Sequence, residues 1–268
     1  MTKPVRHILS LSGGKDSAAL AVYMRDRVPA MEYIFHDSQK ELPETYEYLD
    51  RLEGFLGKKI VKTTADLGFD HWFAVYGQMI PSNNRRWCTA KLKLKPFEQY
   101  VGTDPIVNYI GLRADENREG YISHKTNITA VYPFREDGLV YSDIVRILED
   151  SGLGLPKYTE WGRTRSGCFF CFYQQKIEWV RLKEKYPDLY EEAKRYEQAN
   201  DGVHNPFYWS GKESLVELEK PERMAEIKRN WEESRNPRKN AKGQTLLQVF
   251  TGPVDDEEDD EACLICQI

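Results

Sequence analysis

Apolar and polar positions along the first half of the chain follow two alternating rhythms. Short, nearly continuous apolar runs occur at "VRHILSLS" (5–12), "AMEYIFHD" (30–37), "KIVKTT" (59–64) and "PIVNYIGLR" (105–113). Runs of this length and composition read as strands buried on both faces. Between them lie stretches with helical spacing: Asp16 to Arg27, "LPETYEYLDRLEGFLG", 67–77 and 90–101. The second has Pro43 near its first turn and Gly57 at its end, the usual asymmetry of helix start and stop. Strand and helix in alternation predict an α/β fold. Its sheet should be doubly wound and mostly parallel, with helices on both faces.

The rhythm changes after Arg113. "ADENREGYISHK" is polar and loop-like, "ITAVYPF" reads as a short strand, and "VYSDIVRILEDSG" as an amphipathic helix. A charged helical region spans about 176–198, and two more helical stretches fall near 211–220 and 221–235. Beyond Asn236 the periodicity is lost. The pattern divides the chain into an α/β domain (1–165), a cysteine-containing and helical C-terminal region (166–250), and an acidic tail (251–268) that reads as disordered. Trp72, Phe73 and Tyr76 at helical spacing read as core rather than as a base-stacking platform.

Charge changes the picture little. The net charge is −5, but seven acids lie together from Asp255 to Glu261, and the rest of the chain sums to +2. Local basic clusters stand at Arg85, Arg86, Lys91, Lys93 and Lys95, at Lys157, Arg163 and Arg165, and from Lys228 to Lys242. Each reads equally as a solvated face or as a site for an anionic partner. No apolar run approaches the ~20 residues of a membrane span. The chain enters its first strand almost at once, which leaves no room for a secretory signal. The expectation is a cytoplasmic protein without membrane partners.

The candidate chemistry begins at "SGGKDS" (12–17). Glycines let the backbone turn sharply and approach a ligand closely. The amides opening the next helix, at its positive dipole end, then face an anion. Ser12 and Ser17 offer hydroxyls and Lys15 a point charge. The Walker arrangement is excluded, since it needs four residues between its first glycine and Gly-Lys-Ser/Thr.

This string after a first strand resembles the PP-loop of the ATP pyrophosphatase (adenine nucleotide α-hydrolase-like) superfamily. "HDSQKELPETYEYL" (36–49), "GLRADENREGY" (111–121) and "RSGCFFC" (165–171) resemble, in order, three segments of phosphoadenosine phosphosulfate (PAPS) reductases. The resemblance implies that Ser12, Gly13, Gly14, Lys15, Asp16 and Ser17 cradle the β- and γ-phosphates of ATP, carried with Mg²⁺. Asp37 would then lie near the adenosine. Lys15, Asp16 and Arg113 would be catalytic, with Arg113 stabilising charge that develops on the α-phosphate. A strand-end cap or a structural ion pair is the alternative role for Asp37 and Arg113.

Five cysteines, an odd number, argue against a disulfide framework. Cys168 and Cys171 have the spacing of paired metal ligands. The resemblance implies Cys88, in "RRWCT", as their third partner and a [4Fe–4S] cluster as the occupant, with zinc or three reduced thiols as alternatives. Arg163 and Arg165, beside the pair, could bind phosphate or lower a thiol pKa. "RRWCT" followed by "RSGC" is similar to the PAPS-reductase-like ATP pyrophosphatases of DNA phosphorothioation systems. That narrower likeness implies a DNA backbone phosphate as acceptor and a cysteine desulfurase as sulfur donor. The chain ends in "EACLICQI", without the Glu-Cys-Gly-Leu/Ile-His context of PAPS reductases. A sulfonucleotide reductase acting through Cys263 or Cys266 is therefore the second reading, and a non-catalytic nucleotide-binding module the third.

Overall fold

Five strands form one parallel sheet: β1 (Arg6–Leu11), β2 (Met31–Asp37), β3 (Ile60–Thr64), β4 (Ile106–Tyr109) and β5 (Ile128–Val131), in the order β3-β2-β1-β4-β5. The computed structural model describes residues 3–65, 67–117, 123, 125–198, 207–211 and 213–235. The architecture is the expected α/β fold. β1 is central, and its alternation fixes the two layers. Leu9 and Leu11 face a core built with α1 (Lys15–Met24), α2 (Pro43–Leu56) and α7 (Tyr141–Asp150). Ile8 faces the other core, with Phe97 and Val101 of α5 (Lys95–Val101). Every such buried aliphatic or aromatic side chain contributes roughly 1.5–3 kcal/mol.

Local signals hold at most boundaries. Pro43 opens α2, and Gly57 closes it in the left-handed conformation with φ 63°. α3 covers Phe69–Val75. The stretch expected as one helix over 90–101 is a composite of α4 (Trp87–Thr89), a π-helical turn (Ala90–Leu94) and α5. The strand expected over 105–113 pairs only through Ile106–Tyr109. Ile110 adds one last bond, its N–H donating to the Val131 carbonyl at 3.0 Å, and Gly111 and Leu112 remain buried beyond the ladder, so burial rather than pairing explains their apolar pattern. A short helix, α6 (Pro133–Glu136), follows β5.

The chain divides into two compact units, the first running to Phe169 and the second beginning at Phe170. The second is helical: α8 (Lys176–Lys185), α9 (Pro187–Gln198), α10 (Leu215–Leu218) and α11 (Pro221–Ser234). The region expected as one helix over 176–198 breaks because Pro187 drives Tyr186 out of helical geometry, to φ −132°. Phe170 stacks on Trp209 at 4.8 Å, and the buried Glu197 carboxylate accepts the backbone N–H groups of Trp209 (2.8 Å) and Leu215 (2.7 Å). Among the described residues no helix is long and apolar enough to cross a membrane. The acidic stretch and Cys263/Cys266 lie outside the described residues.

Two buried groups give the units opposite responses to pH. In the first unit, burial with Lys93 nearby lowers the His36 pKa from 6.5 to about 3. Below pH ~6.5 the unfolded chain takes a proton that the folded chain refuses, so stability falls as pH drops from there toward 3. In the second unit, burial pushes Glu197 up from 4.5 to about 7. Between these values the folded chain keeps a proton that the unfolded chain has lost, so stability falls as pH rises through that window. Calorimetry across pH 4.5–7 is expected to show one transition moving down on acidification and another moving up. Glu197→Gln should flatten only the second.

Candidate functional site

The site lies where the strand order changes direction. β1 is paired to β2 on one side and to β4 on the other, so the connections leaving their carboxyl ends diverge and open a crevice. Residues 12–17 fill the turn from β1 into α1. Ser12 donates its N–H to Ser17 Oγ at 3.1 Å, and the two hydroxyls lie 3.1 Å apart. Ser17 Oγ donates to the Gly14 carbonyl at 3.2 Å. Gly13 adopts φ 72°, and a Cβ there would stand 2.4 Å from Cγ2 of the buried Thr45. At Gly14 a Cβ would meet Ser166 Oγ at 2.6 Å. Gly13 is thus held by both space and backbone conformation, whereas at Gly14 the Ser166 hydroxyl would have to turn aside.

Residues far along the chain complete the turn. The buried Tyr158 hydroxyl accepts the Lys15 N–H at 3.2 Å. Ser166 donates its hydroxyl to Ser12 Oγ at 3.3 Å. A Cβ on Gly111 would lie 3.0 Å from the Asp16 carbonyl, so glycine lets the segment after β4 run against the first turn of α1. That approach places Arg113 at Asp16. The Asp16 carboxylate accepts Arg113 Nη1 on one oxygen and Lys15 Nζ on the other, each at 2.9 Å. Arg113 also pairs with Asp115 (2.8 Å) and Glu116 (3.0 Å). Tyr141 lies beneath both cations, 5.5 Å from Lys15 Nζ and 5.6 Å from the Arg113 guanidinium. Among the described residues, three carboxylates therefore meet two cations in a partly enclosed cluster.

Asp37 ends β2 and caps it: its Oδ1 accepts the Gln39 N–H and the Tyr46 hydroxyl, each at 2.7 Å. The following loop meets the sulfur segment. Phe169 N–H donates to the Lys40 carbonyl at 2.8 Å, and Glu41 and Cys168 form an antiparallel bridge. Cys168 Sγ is 3.1 Å from Ser38 Oγ and 3.9 Å from Glu41 Oε1, while Ser38 donates to Glu41 at 2.9 Å. Burial raises the Glu41 pKa against the opposing influence of Lys93. Arg163 is 1% exposed. It turns inward and donates to the carbonyls of Gly167 (3.3 Å) and Cys168 (2.7 Å), so it organises the turn carrying Cys168. Arg165 is half-buried beside it.

Cys88, on α4, and Cys168 belong to the first unit, and Cys171 to the second. All three are half-buried and none is in a disulfide. Among the described residues no three His, Cys, Asp or Glu side chains gather as they would around a metal ion. Cys88, Cys168 and Cys171 are the thiols that would hold such a group. The sequence reading missed Tyr158, Ser166, Gly111, Tyr141, Ser38 and Glu41. Ser38, Glu41, Gly111 and Ser166 do lie inside the motifs quoted above. Tyr158 and Tyr141 carry no local signal.

Residues 6–132 match the phosphoadenosine phosphosulfate reductase domain. Two uncharacterized proteins of Methanocaldococcus jannaschii, MJ0973 and MJ0066, are each 26% identical, over 82% and 70% of this chain. The chain spans 54% and 40% of their lengths. A crystal structure of PAPS reductase from Candida auris, a phosphate complex, aligns at TM-score 0.50 and 12% identity, over 62% of this chain and 82% of that one. That likeness is one of fold. The U34-tRNA thiolase NcsA of Methanococcus maripaludis, with its [4Fe–4S] cluster, aligns at TM-score 0.43 and 12% identity, over 86% of this chain and 73% of that one.

The crowding at Gly13 gives a direct test. Gly57 also has positive φ but open space around it, so Gly57→Ala should cost only the backbone term, about 1 kcal/mol. Gly13→Ala adds the collision with Thr45 and should cost about 1–3 kcal/mol more. Thr45→Ser removes the colliding methyl, and the Gly13→Ala/Thr45→Ser double variant should recover part of that excess in thermal denaturation.

Proposed function

We propose that the chain is an ATP pyrophosphatase that cleaves between the α- and β-phosphates and activates an acceptor for sulfur incorporation. One observation carries the reading: the glycine turn opens α1 with Lys15 and Arg113 drawn together on Asp16 at the crevice between β1 and β4. The amides of Asp16 and Ser17, in the first turn of α1, have no partner within the helix and suit the terminal phosphates. Incoming phosphate oxygens displace Asp16 from the two cations. Lys15 then holds the leaving pyrophosphate, while Arg113, reaching in from the end of β4, stabilises charge on the α-phosphate. An acceptor oxygen attacks the α-phosphorus, the α–β bridging bond breaks, and pyrophosphate leaves. The acceptor carries AMP until a sulfur nucleophile displaces it.

The charges among the described residues favour one form of the nucleotide. Among the described residues Asp16, Asp115 and Glu116 outnumber Lys15 and Arg113, which disfavours bare ATP. The substrate in this reading is the Mg²⁺ complex. The likeness in "RRWCT" and "RSGC" supports membership of the phosphorothioation-type pyrophosphatases, with a DNA backbone phosphate as acceptor, sulfur from a cysteine desulfurase, and a cytoplasmic setting. The PAPS reductase domain match over 6–132 favours a second reading, reduction of a sulfonucleotide by Cys263 or Cys266.

Incubation with ATP and Mg²⁺, in the presence of DNA and a sulfur donor, should release AMP and pyrophosphate. Lys15→Ala and Arg113→Ala should each lower that rate about 10²–10³-fold. Chelation of Mg²⁺ should weaken ATP binding itself by at least about tenfold, as measured by calorimetric titration. Sulfite release from PAPS without pyrophosphate release from ATP would overturn the first reading in favour of the second.

A further inference from the structure

The segment from His71 to Phe97 carries Arg85, Arg86, Lys91, Lys93 and Lys95 and no aspartate or glutamate. The chain has 43 acids in 268 residues, so a stretch of that length would ordinarily hold about four. The structure separates the aromatic residues of this segment. Phe69, Phe73 and Trp87 are buried, whereas Trp72 and Tyr76 are half-open, with centroids 6.4 Å apart. The core expected for the trio at 72, 73 and 76 thus holds for Phe73 alone. Tyr76 is seated by stacking on Trp87 at 5.3 Å, and His71 meets the Trp72 edge at 5.3 Å.

The lysines divide as well. Lys93 acts on the buried His36 and Glu41. Lys91 and Lys95, one turn apart, lie over the Trp72 ring at 4.8 and 6.0 Å. Neither has a carboxylate partner among the described residues. Asp70, just before the segment, is paired with Lys40 at 3.2 Å. Arg85 is exposed nearby in the chain, as is Val75, at 57%.

We infer that this face, with Trp72 and Tyr76 beside Lys91 and Lys95, docks single-stranded nucleic acid. Half-open rings offer stacking planes for unpaired bases, and uncompensated cations beside them meet the backbone phosphates. Each lysine exchanges an exposed cation–π contact for a phosphate as a base takes its place on the indole, and stacking is the stronger of the two contacts. An acidic peptide would satisfy the lysines but make no use of the rings. A duplex has phosphates but no open base face. The inference stands apart from the adenylylation reading, because docking is measured without ATP and each can fail alone.

Fluorescence anisotropy of the full chain with single-stranded DNA and RNA of about 20 nucleotides, the matching duplex and a polyglutamate peptide, over about 50–200 mM salt, tests it. Both single strands, or one of them, should bind more tightly than the duplex. A preference for one sugar would support the docking and name its source. Trp72→Ala should weaken binding about tenfold, while Trp72→Phe, which keeps a stacking ring, should retain most of it. The Lys91→Ala/Lys95→Ala double variant should reduce the steepness of the logarithmic salt dependence by about 1.4. Wild-type affinity in folded Trp72→Ala, equal binding of polyglutamate, or no binding of either strand at the lowest salt would each overturn the inference.

Discussion

The site depends on β1 having a parallel partner on each of its edges. A strand at an edge would send its following turn into solvent on one side. With β2 and β4 both hydrogen-bonded to it, the turn leaving β1 is walled by the segments that follow its neighbours. Gly111 then permits close contact behind α1, and the Asp16 carboxylate joins the loop to the end of β4 through Arg113. Removing β4 would leave the glycine string intact but take away the Arg113 that pairs with Asp16. The motif is thus half of a site whose other half is supplied by topology.

The legible parts of the fold were those whose physics is local. Apolar runs marked the strands because a parallel sheet is buried on both faces, and Pro43, Gly57 and "SGGKDS" marked turns because proline and glycine restrict or release the backbone. What stayed hidden was set by contacts across the chain. Asn108 looked like an ordinary residue in "IVNY", yet both its amide atoms are buried without a hydrogen-bond partner among the described residues, as are Ser10 Oγ and His36 Nε2. The register places Asn108, Ser10 and His36 on the same face of the sheet, near the carboxyl ends. No spacing rule announces such a row, because each member alone reads as a tolerated polar residue.

The cysteines show a different limit. Cys-x-x-Cys spacing is a statement about the reach of two sulfurs and says nothing of the side chains around each. Here the division between units falls between Cys168 and Cys171. Cys168 has its own setting in the first unit, against Ser38 and Glu41, in a turn fastened by the inward guanidinium of Arg163. That setting is a property of the α/β unit, and the spacing alone would not have separated it from Cys171.

The contribution of Tyr158 and Ser166 to the loop bears on how the protein comes into being. Residues 12–17 are synthesised before the hydroxyls that hold the Lys15 amide and Ser12, which follow 143 and 154 residues later. Closing so long a span costs entropy before the contact repays it. The glycine turn is therefore begun before the residues that finish it exist. Until residues through Ser166 have docked, a nascent chain can form strand and helix but not the closed glycine turn, so the Tyr158 and Ser166 contacts mark completion of the α/β unit.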